Sequence, residues 1–229
     1  MGSARSRRTP AAPAGGGGSR IPLAPIAVVL GVAVVVGLMG YLIWQQTKPA
    51  GESGAVKAEA DDSPDLPGEF VNLPEIYDGP YPDHSAHVTS EVDFVADGNS
   101  NPPAGGPMWG SGRCSTDIDS STANCGPVPE GFYTEPWDAE SLNHNMEHAG
   151  IVVWYNTTDQ AVLDDLRDFA EDNRTRFLVV TPFPEMEEET VAITGWSRID
   201  KFPVSEYGTE RLEDFLDTHE CRFDPEGFC

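Results

Sequence analysis

Apolar residues fill one long run near the start of the chain, residues 23–44, which contains no charged side chain. A helix of roughly 20 such residues spans a bilayer, so this run predicts a transmembrane helix. The run is longer than the roughly 7–15 apolar residues of a cleaved signal peptide, which favours a retained anchor. Four arginines precede it and only Lys48 follows closely. This bias predicts a single-pass membrane protein with a cytoplasmic N-terminus and an extracytoplasmic C-terminal domain.

The apolar run separates segments of different composition. Residues 1–22 are rich in Arg, Gly, Pro and Ala, which predicts a disordered cytoplasmic tail. Residues 45–68 combine Ala, Gly, Glu, Asp and Pro with few bulky apolar side chains, as flexible acidic linkers do. Aromatic and aliphatic residues return after this linker. We therefore expect one extracytoplasmic domain over residues 69–229.

The second half of this domain shows the periodicities of regular secondary structure. Short apolar runs predict buried strands at residues 151–155, 176–181 and 190–196. Helical spacing predicts helices over residues 159–172 and 206–219, capped by Thr158 and Ser205. The first two strands should be parallel because a helix joins them, and the third should return antiparallel through a hairpin connection at residues 182–189. The pattern predicts an α/β (α+β) fold with a small mixed sheet in β-α-β-β-α order.

The first half of the domain is rich in Pro and Gly. Closely spaced prolines disfavour a helix at residues 70–82, and an alternating pattern predicts a short strand at residues 87–94. The dense Pro and Gly of residues 99–112 predict a fixed loop that carries Met108 and Trp109 inward. We expect this loop-rich half to wrap over the sheet.

Charge narrows the choice of partner. The formal net charge is −24, and the part after residue 45 carries 10 basic and 38 acidic residues, a difference of −28. Such a surface repels nucleic acid, so cations or a basic protein surface are the better expectation. Solubility alone would also account for the charge.

The four cysteines fit an oxidising compartment. Four cysteines allow three pairings, and closeness in sequence favours Cys114 with Cys125 and Cys221 with Cys229. The Cys-x-x-Cys spacing of a zinc or thioredoxin-like site is absent from the sequence.

The strongest chemical signal is the stretch from Asn143 to Gly150, which holds His144 and His148 four residues apart. On a helix both imidazoles lie on one face about one turn apart, a spacing that suits two ligands of one metal ion. Met146 and Glu147 lie between them and offer one soft and one hard ligand.

Three segments of the chain resemble the bacterial DUF3105 family. The residues that carry the resemblance are His87-Val88, the Pro-rich loop from Pro102 to Met108, and His144-Asn145-Met146-Glu147-His148-Ala149-Gly150. The resemblance covers roughly residues 68–221 and implies a secreted or membrane-anchored domain. Met108 stands where the family has His, and Ala149 stands where it has Gly.

These segments predict one metal cluster if they converge. Its candidate ligands are His87, Met108, His144 and His148, with Met146 and Glu147 as further donors. Imidazoles with a thioether favour copper over magnesium or calcium. The hypothesis is an extracytoplasmic copper-binding protein, with zinc as the alternative metal.

Other functions stay open. A second hypothesis is an accessory subunit of a membrane complex, such as a respiratory one, in which the histidines are structural. His144-x-x-Glu147-His148 also matches the H-x-x-E-H pattern of inverted zinc peptidases. In that case residues 185–189 would supply the third ligand. No Ser or Cys nucleophile motif supports other catalysis. His84 and His219 are expected to face solvent.

Overall fold

A mixed sheet with helices and loops on its faces forms the centre of the computed structural model, which describes residues 61–83, 85–110 and 126–229. In chain order the strands are β1 Glu69–Phe70, β2 His87–Val88, β3 Met108–Trp109, β4 Gly131–Phe132, β5 Ile151–Asn156, β6 Leu178–Pro182, β7 Thr190–Gly195 and β8 Arg198–Pro203. The helices are α1 Leu73–Ile76, α2 Phe94–Asp97, α3 Ala139–Glu147, α4 Gln160–Asp172 and α5 Thr209–His219, and a 3₁₀ turn covers Val204–Glu206.

The main sheet has six strands in the order β1-β8-β7-β5-β6-β4. The neighbours β5 and β6 are parallel, as expected of strands joined by helix α4, and Ile151 lies opposite Leu178. Strand β7 runs antiparallel to both β5 and β8. Strands β2 and β3 form a separate parallel pair in which His87 lies opposite Met108. This small pair brings two predicted ligand positions side by side.

Alternating side chains of β5 divide the core into two layers. Ile151, Val153 and Tyr155 point to one layer, which α4 and α5 cover through Leu166, Phe169, Leu212, Phe215 and Leu216. Val152 and Trp154 point to the other layer. That layer is closed by residues from helices α1 and α3, strand β3 and loops, namely Leu73, Ala104, Met108, Leu142, Met146, Trp196 and Phe223. We call these the helical face and the loop face.

Local signals explain where two of the helices begin and end. Helix α4 begins after Asp159, whose carboxylate accepts a hydrogen bond from the Ala161 amide and caps the first turn. Helix α3 ends at Glu147, and Ala149 follows with φ 68°. A left-handed residue directly after a helix turns the chain out of the helix axis, so β5 can begin at Ile151.

The predicted α/β class is confirmed, with one strand added and one pairing corrected. The order of the second half is β-α-β-β-β-α, because β8 follows β7. The third predicted strand is antiparallel, but it pairs with β5 rather than returning as a hairpin on β6. The hairpin partner of β7 is β8, whose polar Arg198, Asp200 and Lys201 hide its strand character in the sequence.

Several predicted boundaries shift. The strand predicted at residues 87–94 shortens to β2, because helix α2 begins at Phe94. Prolines were expected to disfavour a helix at residues 70–82, but the short helix α1 forms there. Pro74 lies in its first turn, where the missing backbone amide costs little. The last helix begins at Thr209, after the 3₁₀ turn.

The end of the predicted linker is held against the domain. The guanidinium of Arg198 donates hydrogen bonds to the carbonyls of Asp61, Ser63 and Gly68. Arg222 forms an ion pair with the Asp61 carboxylate. These contacts fix residues 61–68, which composition alone assigned to the linker.

Some predictions concern residues outside the described ranges. These are the tail 1–22, the transmembrane helix 23–44, linker residues 45–60, His84 and the Cys114–Cys125 disulfide. Within the described ranges, no helix combines the length and apolarity that crossing a bilayer requires. The predicted Cys221–Cys229 disulfide is confirmed.

Candidate metal centre

Helix α3 carries the two central histidines. His144 lies in its last turn and His148 is its C-terminal cap residue. Their rings pack edge to face with centroids 4.6 Å apart, as the four-residue spacing predicts. Nearly the whole helix is buried, including the polar residues Asn143, His144 and Glu147. Polar groups so deeply buried need partners; loop carbonyls accept from Asn143 and His144, whereas Oδ1 of Asn143 has no partner among the described residues.

Strand β2 brings a third imidazole to the helix. The ring centroid of His87 lies 5.6 Å from that of His144. Gly110 makes room for it, because a Cβ at that position would lie 3.2 Å from Cγ of His87. The predicted convergence of the first-half loop on the His144 stretch is therefore present.

The hydrogen bond of His144 leaves one ring nitrogen free to bind a metal. Nδ1 of His144 lies 2.8 Å from the Trp109 carbonyl oxygen. A carbonyl only accepts, so Nδ1 carries the proton and Nε2 keeps its lone pair. Burial lowers the pKa of His144 to about 4, and the nearby His148 and His87 add to the effect. The ring is therefore neutral near pH 7, the state that binds metal ions.

Glu147 lies between two groups of donors. The residue is buried, with 4 % of its surface exposed. Donor atoms of Glu147, His87 and His144 all lie within 4.8 Å of one another, and the same is true of Glu147, His148 and Glu226. The Tyr81 hydroxyl hydrogen-bonds to Glu147, and its pKa is raised by burial and then by the charge of Glu147. Tyr81 therefore stays protonated and acts as donor to the carboxylate.

The C-terminal loop covers His148. Nε2 of His148 lies 3.1 Å from Oε2 of Glu226, and the His148 ring stacks on Phe228 with ring centroids 4.2 Å apart. Burial lowers the pKa of His148, while Glu226 and Asp224 oppose that shift. A cavity of about 220 Å³ lies beside His148 and Phe228, and Asn145 and Phe177 also line it.

The methionines lie in a different environment from the histidines. Met108 and Met146 have no exposed surface and belong to the apolar cluster of the loop face. Met108 lies opposite His87 in the β2–β3 register, but its side chain belongs to the core with Leu142. The inward position predicted for Met108 and Trp109 is confirmed, because both are fully buried.

The prediction that His219 faces solvent is wrong. His219 is 5 % exposed. One ring nitrogen lies 2.9 Å from the Pro67 carbonyl, and the ring packs on Phe215. The sequence gives no sign of this contact, because Pro67 lies in the segment assigned to the linker.

The acids expected to complete a zinc peptidase site lie elsewhere. Glu187 pairs with Lys201, and Glu189 accepts a hydrogen bond from Thr157. Glu185 lines a separate cavity of about 530 Å³, which none of the described histidines borders.

Sequence reasoning missed two residues of the site. Glu226 contacts His148 and Tyr81 hydrogen-bonds to Glu147, but no motif or spacing in the sequence connects either pair.

A family model covers this region. The model described as "Protein of unknown function (DUF3105)" matches residues 96–227, more than half of the chain. The chain belongs to the DUF3105 family. The match includes His144, Glu147, His148 and Glu226, whereas His87 precedes it. No curated protein and no solved structure matches this DUF3105 chain. The family assignment carries no function, so a function must be argued from the site.

Proposed function

We propose that this DUF3105 protein is a membrane-anchored, extracytoplasmic metal-binding protein whose primary ligands are His87, His144 and Glu147. One observation carries the proposal. His144 donates Nδ1–H to a backbone carbonyl, which leaves Nε2 for a metal, and donor atoms of His144, His87 and Glu147 lie within 4.8 Å of one another. This is the usual arrangement of metal-binding histidines, in which the second nitrogen fixes the tautomer and the ring orientation.

The donor set favours a divalent transition metal, and we propose copper. Two imidazoles and one carboxylate supply nitrogen and oxygen, which suit Cu²⁺ and Zn²⁺. Copper binds most tightly in the order of divalent first-row metals. Met108 and Met146 are fully buried in the apolar cluster of the loop face, so the proposed ligands are nitrogen and oxygen atoms, which favour Cu(II) over Cu(I).

The predicted setting agrees with this function. The part of the chain beyond the predicted anchor carries 38 acidic and 10 basic residues. A strongly negative domain raises the local concentration of cations. The confirmed Cys221–Cys229 disulfide is consistent with the oxidising side of a membrane.

The test is metal analysis of the full-length protein, purified from membranes in detergent without chelator and then loaded with copper. We expect tightly held copper in the wild type and at least about a tenfold loss of affinity in His144→Ala and His87→Ala. The matched control is His219→Gln, which removes an imidazole outside the cluster. A protein that stays metal-free after loading would contradict the proposal, and exclusive retention of zinc would contradict the choice of copper.

A second candidate function rests on the internal hydrogen bonds of the cluster. His144 pairs with the Trp109 carbonyl, His148 with Glu226, and Glu147 with Tyr81. These pairs also suit structural histidines in an accessory subunit of a membrane complex. In that case the wild type carries no metal, and His144→Ala lowers the melting temperature of the chelator-treated protein.

A further inference from the structure

The C-terminal loop adds a second set of donors beside the proposed copper site. We propose that Glu147, His148 and Glu226 bind a second divalent transition-metal ion, so that Glu147 is shared between two ions. This inference rests on the proposed function and extends it from one metal ion to a pair. Glu226, the new ligand, lies between the two cysteines of the confirmed disulfide.

Two carboxylates approach each other at this second position. Donor oxygens of Glu147 and Glu226 lie within 4.8 Å of each other. Two carboxylates at that distance repel, although the Tyr81 hydroxyl on Glu147, the His148 ring beside Glu226 and the solvent exposure of Glu226 offset part of the repulsion. A divalent ion between them removes the repulsion, and the adjacent imidazole of His148 completes a nitrogen and oxygen set.

The distance between His148 and Glu226 also fits a common ion. Nε2 of His148 lies 3.1 Å from Oε2 of Glu226. Two ligand atoms bound about 2.0–2.2 Å from one ion lie about 2.8–3.6 Å apart when the angle between them is about 90–110°. A divalent ion bound here would displace the proton that Nε2 of His148 shares with Oε2 of Glu226.

The loop is built to hold Glu226 in place. The Asp224 carboxylate accepts hydrogen bonds from the amides of Gly227, Phe228 and Cys229. The disulfide closes the loop, and Phe228 stacks on the His148 ring. These contacts come from the loop itself, so the second position depends on the loop whereas the first does not.

The second position opens to solvent through Glu226, which is an exposed residue. The cavity of about 220 Å³ borders His148 but neither Glu147 nor Glu226. An ion can therefore reach the second position from the Glu226 side. The shared carboxylate would place the two ions close together, as in two-metal sites with separations of about 3.5–4 Å.

The experiment counts copper per chain in the full-length protein after Cu(II) loading and removal of excess metal. The wild type should hold about two copper ions, and Glu226→Gln should hold about one. Glu213→Gln is the matched control, because it makes the same change of charge at an exposed position of helix α5 and should also hold two. Cys221→Ser/Cys229→Ser should behave like Glu226→Gln, since it releases the loop.

Electron paramagnetic resonance distinguishes a coupled pair from an adventitious second ion. Two Cu(II) ions that share Glu147 should give a spin count below the copper content, and Glu226→Gln should restore agreement between the two. One copper in both the wild type and Glu226→Gln would overturn the second position and leave the proposed function intact. Two uncoupled coppers unaffected by Glu226→Gln would also overturn it. No copper in the wild type would overturn both.

Discussion

The two faces of the sheet are covered in different ways. On the helical face, α4 and α5 pack regular apolar rows against Ile151, Val153 and Tyr155. On the loop face, Trp154 packs against a mixture of loop residues and helix α3, including Ala104, Met108 and Phe223. Every proposed metal ligand belongs to segments on or beside the loop face, namely β2, α3 and the C-terminal loop.

The helical face mainly stabilises the fold, whereas the loop face carries the proposed metal ligands. Helices with apolar rows bury much surface and need few special residues. Loops contribute less regular packing, but they can aim side chains from distant segments at one point. His87 and Glu226 reach the same carboxylate, Glu147, in this way. We therefore expect changes on the helical face to alter stability and leave the metal site intact.

The largest expected effect concerns the helical face. Leu166 of α4 has no exposed surface and belongs to the apolar cluster of the helical face. Leu166→Ala should lower the free energy of unfolding by about 4 kcal/mol, because the lost burial adds to the cost of the cavity. Chemical denaturation of the metal-free protein, followed by tryptophan fluorescence, measures the change.

Metal binding by the same variant tests the separation of the two faces. Leu166→Ala should keep the wild-type copper content at a temperature where it remains folded. His87→Ala should show the opposite pattern, with little loss of stability at its exposed position and weaker copper binding. Loss of copper by folded Leu166→Ala would show that the two faces are coupled.

The same contrast explains what the sequence could predict. The helical face follows periodicity, so α4 and the parallel pair β5 and β6 are predicted within a few residues. The pair of imidazoles on α3 is predicted by spacing alone. The contact of Glu226 with His148 is not predicted by the sequence, because it depends on how the C-terminal loop folds back. Strand β8 is missed because its polar residues break the alternation.

Contacts between distant segments were also beyond the reach of sequence patterns. His219 lies in the last turn of α5 and contacts Pro67, in a segment that composition assigned to the linker. Burial of a polar side chain by a distant loop leaves no local signal. The wrong solvent-facing assignment of His219 and the flexible assignment of residues 61–68 therefore share one cause.

His219 gives the second prediction, which concerns pH. Burial lowers its pKa from 6.5 to about 4; Arg198 and Arg222 lower it further, whereas Pro67 and Asp214 oppose the shift. Below pH 6.5 the unfolded chain takes up a proton that the folded protein resists. This contribution to stability is therefore complete above about pH 6.5, is lost as pH falls toward 4, and amounts to about 3 kcal/mol.

The glutamine variant isolates that contribution. His219→Gln can still donate from Nε2 to the Pro67 carbonyl but does not titrate. Between about pH 7 and pH 4 it should lose about 3 kcal/mol less unfolding free energy than the wild type. Both proteins keep His144 and His148, so the difference between their changes in unfolding free energy comes from the titration of His219. If the unfolding free energies of the two proteins changed in parallel with pH, the prediction would be wrong, because protonation of His219 would then not destabilise the folded protein.

The smallest expected effect lies where the loop face meets the sheet. Ser197 is the second residue of the turn between β7 and β8 and has φ 64°. Its amide donates to the Ala104 carbonyl, and its carbonyl accepts from the Val71 amide. Both bonds join the loop-rich half to the sheet through backbone atoms alone. The hydroxyl of Ser197 is buried and finds no hydrogen-bond partner among the described residues.

Ser197→Gly should therefore stabilise the protein. It removes a left-handed strain of about 1–2 kcal/mol and a buried unpaired hydroxyl that costs about 1–3 kcal/mol. The added freedom of the unfolded chain opposes this by about 0.5–1 kcal/mol. A net gain of at least about 1 kcal/mol would raise the melting temperature by roughly 2–4 °C. Ser205→Gly, at an exposed position of the 3₁₀ turn, should lower it slightly. A lower melting temperature for Ser197→Gly would mean that the hydroxyl, and not only the backbone, holds the two halves together.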